Sequence, residues 1–362
     1  MSSRVTFVLP GYGGGPVGGV KVVYEYANGL VARGYAVTVV HPAFSFRGAP
    51  VVSRLKSCVR FVQRTLDKSY LPSRWFNLDP RVRALWVPSL AEKYIPDGDA
   101  IVATAWMTAE WVAEYAARKG EKYYLIQHFE NWAGPEDRVI GTWKLPLRKI
   151  VISKWLGDVA RSLGEQFVYI PNGLDFRKFG IDEPIEKRPS SHVMMLYHDH
   201  VWKGSADGLQ ALKIARSRHS ELRVSLFGVS KARSLPPWIR YFQNPTQDLL
   251  RNIYNSSAIF VSPSWTEGWP LPPAEAMMCG VAVVATDIGG HREYADDDVT
   301  ALLAPVKHPE ALAERIVMLL ENTDKRVEIA RSGHKNIQQF TWERACDAFE
   351  EALSKSRPGA SD

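Results

Sequence analysis

The chain of 362 residues is longer than one hydrophobic core ordinarily supports, and its 46% hydrophobic and 23% charged residues are the balance of a globular protein with about two domains. The apolar start at 5–9 is too short for a secretory signal, and the stretch 276–285 is far short of a membrane span. Cys58, Cys279 and Cys346 show neither zinc nor disulfide spacing, so a reducing cytoplasm is expected. A formal net charge of +6 suits a phosphorylated ligand, an anionic membrane face or a nucleic acid without choosing among them.

Short β-branched runs alternate with helical periodicity, which predicts an α/β protein with parallel sheets covered by helices on both faces. In the first half, strands are predicted at 5–9, 36–40, 82–87, 100–104, 123–127, 150–152 and 167–170. In the second half they are predicted at 193–197, 223–227, 240–242, 259–262, 281–285 and 301–303. Between the halves Gly180, Pro184 and Pro189 interrupt any periodicity, which makes 174–191 the expected linker between an N-terminal domain, 1–173, and a C-terminal domain, 192–340. The tail at 341–356 reads as a helix with Trp342, Ala345, Phe349 and Ala352 on one face and Thr341 as its N-cap, able to pack back on the first domain.

The glycine-rich opening after the first strand satisfies G-x-G-x-x-G at Gly13, Gly15 and Gly18, yet the second strand ends Val39-Val40-His41-Pro42 without the ribose-binding acid of a dinucleotide fold. Farther on, 47–93 is rich in Arg and Lys. Within it Leu55, Val59, Val62, Leu66 and Tyr70 recur at helical spacing beside Arg54, Lys56, Arg60, Arg64 and Lys68. That pattern fits an interfacial helix on acidic lipid or an anionic acceptor, while an ordinary surface helix with a solvated basic side is the plainer reading.

The most informative stretch is 262–280. It follows a predicted strand and enters a helix announced by Pro272 and Pro273, so the helix N-terminus offers an anion site at the carboxyl edge of a parallel sheet. Glu267 on the loop and Glu275 in the first helical turn each offer two acceptor oxygens for neighbouring sugar hydroxyls, Glu275 for a ribose diol and Glu267 for a transferred sugar. Both residues are also ordinary choices near a helix start.

The run from Glu267 to Glu275, with Gly268, Trp269, Pro270 and Leu271 inside it, resembles the E-x7-E motif of the family 4 retaining glycosyltransferases. Gly18-Gly19, Ile170-Pro171-Asn172-Gly173, Lys203-Gly204, Gly289-Gly290 and Phe340-Thr341-Trp342 follow that family's order. The resemblance covers nearly the whole chain and implies the GT-B fold, two Rossmann-like domains with parallel sheets facing across a cleft. It further implies metal-independent transfer of a sugar from a nucleoside diphosphate to a glycan, lipid-linked or small-molecule hydroxyl, with retained configuration.

By the same resemblance Gly18 and Gly19 let backbone approach the donor diphosphate, Lys203 is one of two cations meeting it, and His128 contacts the donor sugar. The chain departs from the family where His198 stands in the place of the second cation, an arginine. Either His198 acts protonated, or another base such as Arg233 substitutes, or the alignment is shifted.

A turn around Asn244 is expected to read the base, which leaves thymidine, uridine and guanosine diphosphates open. The opening motif and Thr104-Ala105-Trp106 look like rhamnosyl-type, polysaccharide-building members, and so favour a thymidine diphosphate deoxyhexose. No cofactor, nucleic acid or metal is expected. The group His198, Asp199 and His200 lacks a further ligand at matching spacing, and Asp97-Gly98-Asp99 and Asp296–Asp298 read as turns. Two other readings stand beside transfer: an epimerase- or phosphorylase-like enzyme on the same scaffold, and a non-catalytic nucleotide-sugar binder. The expected location is cytoplasmic, with peripheral contact at the inner membrane face through 47–93 as the lipid reading has it.

Overall fold

All the strands read from the sequence are present in the computed structural model, which describes residues 2–11, 15–45, 51–73, 75–130, 134–231 and 235–354, with backbone alone at 51–58. Contacts divide the chain into unit 1, Met1–Gly173 with Trp342–Asp362, and unit 2, Leu174–Thr341.

Unit 1 runs β1 (Arg4–Val8), α1 (Gly18–Ala32), β2 (Ala36–Pro42), α2 (Val51–Asp67), β3 (Arg83–Val87), β4 (Ala100–Ala103), α3 (Trp106–Glu114), β5 (Glu121–Ile126), α4 (Glu136–Trp143), β6 (Arg148–Val151), α5 (Lys154–Ser162) and β7 (Phe167–Tyr169). Unit 2 runs β8 (His192–Leu196), α6 (Ser205–Arg218), β9 (Arg223–Gly228), β10 (Ile239–Gln243), α7 (Gln247–Ser256), β11 (Ile259–Ser262), α8 (Leu271–Met278), β12 (Ala282–Thr286), β13 (Leu302–Ala304), α9 (Pro309–Glu321) and α10 (Thr323–Ile337). The last helix, α11 (Trp342–Ser354), returns to unit 1.

Both sheets are parallel throughout their described strands. The first has the order β3-β2-β1-β4-β5-β6-β7 and the second β10-β9-β8-β11-β12-β13. Strands covered on both faces need apolar residues at successive positions, and β11 and β12 are buried along their whole length. In unit 2, Val193, Met195, Leu226, Val261 and Val284 from the strands pack with Leu212 and Ile316 from flanking helices. The strand order reverses between β1 and β4 in unit 1 and between β8 and β11 in unit 2. At such a reversal the loops leaving the carboxyl ends diverge and open a crevice for a ligand.

Two further segments shape the units. Phe349 of α11 lies against Tyr26 of α1 at 4.6 Å between ring centroids and against Phe7 of β1 at 5.8 Å. The segment 174–191, expected to be a linker, is instead folded onto unit 2. Buried Arg188 donates to the carbonyls of Glu183 at 2.8 Å, Cys279 at 2.6 Å and Gly280 at 3.1 Å, so a charge that burial would otherwise penalise is satisfied there.

Candidate active site

In unit 2 the site grows from the loops leaving β8 and β11, the two strands at the reversal point. After β8 the chain makes a tight turn at Val201–Lys203 and passes through Gly204 at φ +63° into α6. A Cβ at Gly204 would stand 1.9 Å from the Pro263 carbonyl oxygen, so only glycine lets the two loops approach this closely. The Trp265 amide donates to the Trp202 carbonyl at 2.7 Å, and the Trp265 indole donates to Asp207 Oδ2 at 2.7 Å.

This contact brings two of the expected residues together. Lys203 Nζ donates to Glu267 Oε1 at 2.7 Å, and Ser264 Oγ donates to the same oxygen at 2.8 Å. With side-chain exposures of 24% for Lys203 and 11% for Glu267, the pair is screened far less than a surface ion pair, yet it remains reachable.

Beneath the loop lies a network that the sequence did not signal. Fully buried His291 donates from Nδ1 to the Thr286 carbonyl at 2.7 Å, which leaves Nε2 to accept from Ser262 Oγ at 2.8 Å. Neighbouring Gly290 passes so close that a Cβ there would be 2.5 Å from the Glu267 carbonyl oxygen. Burial pushes the His291 imidazole down to about 4 from its ordinary 6.5. Between those values the unfolded chain takes up a proton that the folded chain refuses, so stability is full above about pH 6.5 and falls toward pH 4. His291 alone should cost about 2 kcal/mol at pH 5. Thermal melts at pH 7.5 and 5 check this, because His291→Asn should shrink the pH difference by that amount.

Glu275 is buried in α8 and accepts from the Tyr254 hydroxyl at 3.3 Å. Burial first, and then the Glu275 charge, hold the Tyr254 hydroxyl well above the usual phenol range. Burial first, and then the charges of Glu267, Glu275 and Glu293, hold the buried Tyr294 hydroxyl well above the usual phenol range. Between them the indole of Trp269 packs on Tyr294 at 4.9 Å and Phe340 at 5.5 Å, and the Tyr294 hydroxyl donates to the Pro270 carbonyl at 2.7 Å. Trp269 is thus a core side chain, and what the run Gly268–Leu271 offers a ligand is its backbone. Pro270 caps α8 without a side-chain hydrogen bond, and Glu275, expected in the first turn, lies in the second because the helix already starts at Leu271. No acid stands in the first turn, so the positive end of the helix dipole is not neutralised locally, although Pro272 and Pro273 supply no N-H there.

His198 follows β8. Its backbone amide donates to Ser205 Oγ at 2.9 Å, and its Nδ1 accepts from the His200 amide at 3.0 Å, which puts the ring proton on Nε2. Burial first, and then the charges of His200 and Lys203, lower its affinity for a second proton. Of the readings made for the missing arginine, the protonated imidazole is the one this environment opposes; what it supports is a neutral ring with one N-H to donate. Arg233 lies outside the described residues. Asn244, at φ +48°, closes the turn after β10 with its amide on the Gly228 carbonyl at 2.8 Å.

In unit 1, Gly18 and Gly19 open α1, whose N-cap Val17 provides no side-chain hydrogen bond and whose first turn holds no acid. Gln127, just past β5, donates to the Gly19 carbonyl at 3.2 Å and so ties the glycine turn to the strand end that carries His128. Gly13 of the glycine pattern lies outside the described residues. The His128 ring meets Trp155 edge-on at 5.9 Å, and its Nδ1 accepts from the Glu130 amide at 3.2 Å.

Glu130 was not singled out from the sequence. It sits at φ +58°, accepts from the Trp106 amide at 2.8 Å, and burial raises its carboxyl to about 7. Its only sequence signal is an acid two residues past a strand-end histidine.

The two acidic look-alikes do turn work. Asp97 accepts from Lys119 Nζ at 2.7 Å, Asp99 from the Arg4 amide at 2.7 Å and Asp297 from the Leu303 amide at 2.8 Å. Among the described residues no three His, Cys, Asp or Glu side chains are grouped to hold a metal ion.

Residues 200–336 match the family model described as glycosyl transferases group 1, a segment that lies wholly within unit 2 and contains Lys203, Glu267, Glu275 and His291. The chain is 30% identical over 146 residues to a D-inositol 3-phosphate glycosyltransferase of Salinispora tropica, covering 39% of this chain and 29% of that protein. It is 26% identical over 214 residues to a phosphatidyl-myo-inositol mannosyltransferase of Mycobacterium tuberculosis, covering 54% of this chain and 57% of the other. The matches therefore span between about a third and somewhat more than half of these relatives' length.

Solved structures share the fold across the chain. Sucrose-phosphate synthase from Thermosynechococcus elongatus superposes with a TM-score of 0.73 at 16% identity over 98% of both chains. Anabaena Alr3699/HepE, solved in complex with UDP-glucose, gives 0.72 at 16% identity over 98% of this chain and 100% of that one. The architecture is the GT-B fold, with a Rossmann-like parallel sheet in each of two units. The family model matches within unit 2, and both relatives are named as glycosyl- or mannosyltransferases.

Proposed function

We propose that this chain is a glycosyltransferase that moves a sugar from a nucleoside diphosphate onto a hydroxyl of a glycan, lipid-linked or small-molecule acceptor. The observation that carries the reading is the Lys203–Glu267 pair, 2.7 Å apart where the strand order of unit 2 reverses and inside the segment that matches the family model.

A departing nucleoside diphosphate gathers negative charge on its β-phosphate, and fixed donors aimed at that charge lower the barrier. The Lys203 ammonium carries three N-H donors, so it can satisfy Glu267 Oε1 and still offer others to a phosphate oxygen. The dipole end of α8, with the Leu271 amide, and the neutral Nε2-H of His198 add to that set in this reading. Gly18 and Gly19 are diphosphate-binding glycines by the resemblance alone. Glu267 takes hydroxyls of the transferred sugar, Glu275 takes the ribose diol, and Asn244 marks the base-reading turn. His128 contacts the sugar.

Metal independence and retention of configuration rest on the resemblance at Glu267–Glu275 and Lys203. A thymidine diphosphate deoxyhexose remains the favoured donor, with uridine and guanosine diphosphate sugars beside it, and a relative bearing the name mannosyltransferase keeps hexoses in the panel. Free, buried Cys279 and Cys346, their thiols pushed up to about 12 by burial, suit a cytoplasmic setting. Among the described residues no helix is long and apolar enough to cross a membrane.

Incubation with dTDP-, UDP- and GDP-sugars, each with and without lipid and glycan acceptors, tests the reading. Release of nucleoside diphosphate that requires an acceptor supports transfer. Conversion of the donor to an epimer or a sugar phosphate without acceptor, or binding without turnover, contradicts it.

A further inference from the structure

Helix α2 carries an apolar stripe on its outside. Val59, Val62 and Leu66 are 68%, 58% and 79% exposed, and at 100° per residue they fall within about 60° of one another on the helix. The inner side is held by other residues. Phe61 stacks on Trp86 of β3 at 6.0 Å, the Trp86 indole donates to the Phe61 carbonyl at 3.1 Å, and the Arg64 guanidinium lies over the same ring at 5.8 Å. Burial against unit 1 therefore does not explain the stripe, since the helix is anchored through a different face.

The net charge of the segment that carries the stripe argues for what it meets. Residues 47–93 hold ten Arg and Lys against three Asp and Glu, more than the whole chain's excess of six, so all of the protein's net positive charge is concentrated in this segment. Pairing with α2 of a second copy would oppose like charges, and a nucleic acid would leave three large apolar side chains in water. An anionic bilayer satisfies both features at once: the apolar residues enter the boundary between headgroups and acyl chains while the bases stay with the phosphates.

We propose that α2 is a membrane-docking helix that seats this protein on anionic lipid through Val59, Val62 and Leu66, flanked by Arg60. The proposal stands independently of which sugar, if any, the chain transfers.

Flotation of the full chain with vesicles of phosphatidylcholine, alone or mixed with phosphatidylglycerol, tests it. The wild type should float with the mixed vesicles and not with the neutral ones, and added salt should release it. Leu66→Glu should lower the bound fraction about tenfold or more by placing a charge in the apolar boundary, and Arg60→Glu should lower it about tenfold through the reversed charge. Both side chains are exposed, so circular dichroism and melting temperature should stay as in the wild type, which separates lost docking from lost fold. Failure to float with anionic vesicles overturns the proposal, as does flotation unchanged by either substitution. A concentration-dependent dimer that Leu66→Glu abolishes would also overturn it, by assigning the stripe to a second copy.

Discussion

If the chain transfers a sugar as proposed, Lys203→Ala should lower kcat/KM for the nucleotide sugar by about 10² to 10³, corresponding to roughly 3–4 kcal/mol of lost transition-state stabilisation, while the melting temperature should stay close to that of the wild type. The charge that develops on the leaving diphosphate needs a preorganised cation, and Lys203 is fixed by its 2.7 Å bond to Glu267 rather than free to sample solvent. Its side chain is about a quarter exposed, so truncation leaves no large cavity. Glu267→Ala should fall in the same range, because it removes both a hydroxyl acceptor and the group that orients Lys203. Steady-state rates alongside melting curves distinguish chemistry from folding: turnover unchanged in either variant removes that residue from the mechanism.

Gly204→Ala is the second large effect, and it strikes the fold first. The residue sits at φ +63°, where a Cβ costs about 1–2 kcal/mol from backbone sterics alone. The added carbon would also lie 1.9 Å from the Pro263 carbonyl oxygen, a backbone atom that cannot swing aside. Relief requires the loop after β8 to move from the loop after β11, which breaks the Trp265–Trp202 bond and carries Lys203 away from Glu267. Unit 2 should lose about 3 kcal/mol or more, a drop of roughly 10 °C in melting temperature, and donor affinity should fall with it. Gly18→Ala serves as the control, since a Cβ there meets nothing within 4 Å. A melting temperature for Gly204→Ala equal to that of the control would show that the loop contact is not the hinge of the site.

The strands were legible because a parallel sheet buried on both faces leaves an unmistakable residue pattern: β12, Ala282–Thr286, has no polar residue until its last position. Glu267 and Lys203, on loops leaving such strands, and Glu275, inside α8, were picked out by their resemblance to a family's motifs. The Ser262–His291–Thr286 network was not, because a buried histidine bonded to a backbone carbonyl 5 residues away has no signature apart from the surrounding fold. Arg188 hid in the same way, inside a stretch whose prolines and charges looked like open linker.

Helix α2 shows a different limit. Spacing showed that Val59, Val62 and Leu66 share a side but not which way that side points. Phe61 and Arg64 took the contact with Trp86, and the stripe was left outside. Tyr70, grouped with the stripe by its spacing, instead stacks on Trp86 at 5.5 Å.

In the proposed site the dipole end of α8 with the Leu271 amide, Lys203 and Glu275 hold a nucleoside diphosphate. Melting of the wild type, Lys203→Ala and Glu275→Ala with dTDP, UDP and GDP tests it most directly. At 100 times its dissociation constant the matching diphosphate should stabilise the wild type by about 2.7 kcal/mol, and the same concentration should give each variant little of that gain. Stabilisation of equal size in all three proteins, or none by any of the three diphosphates, would contradict it.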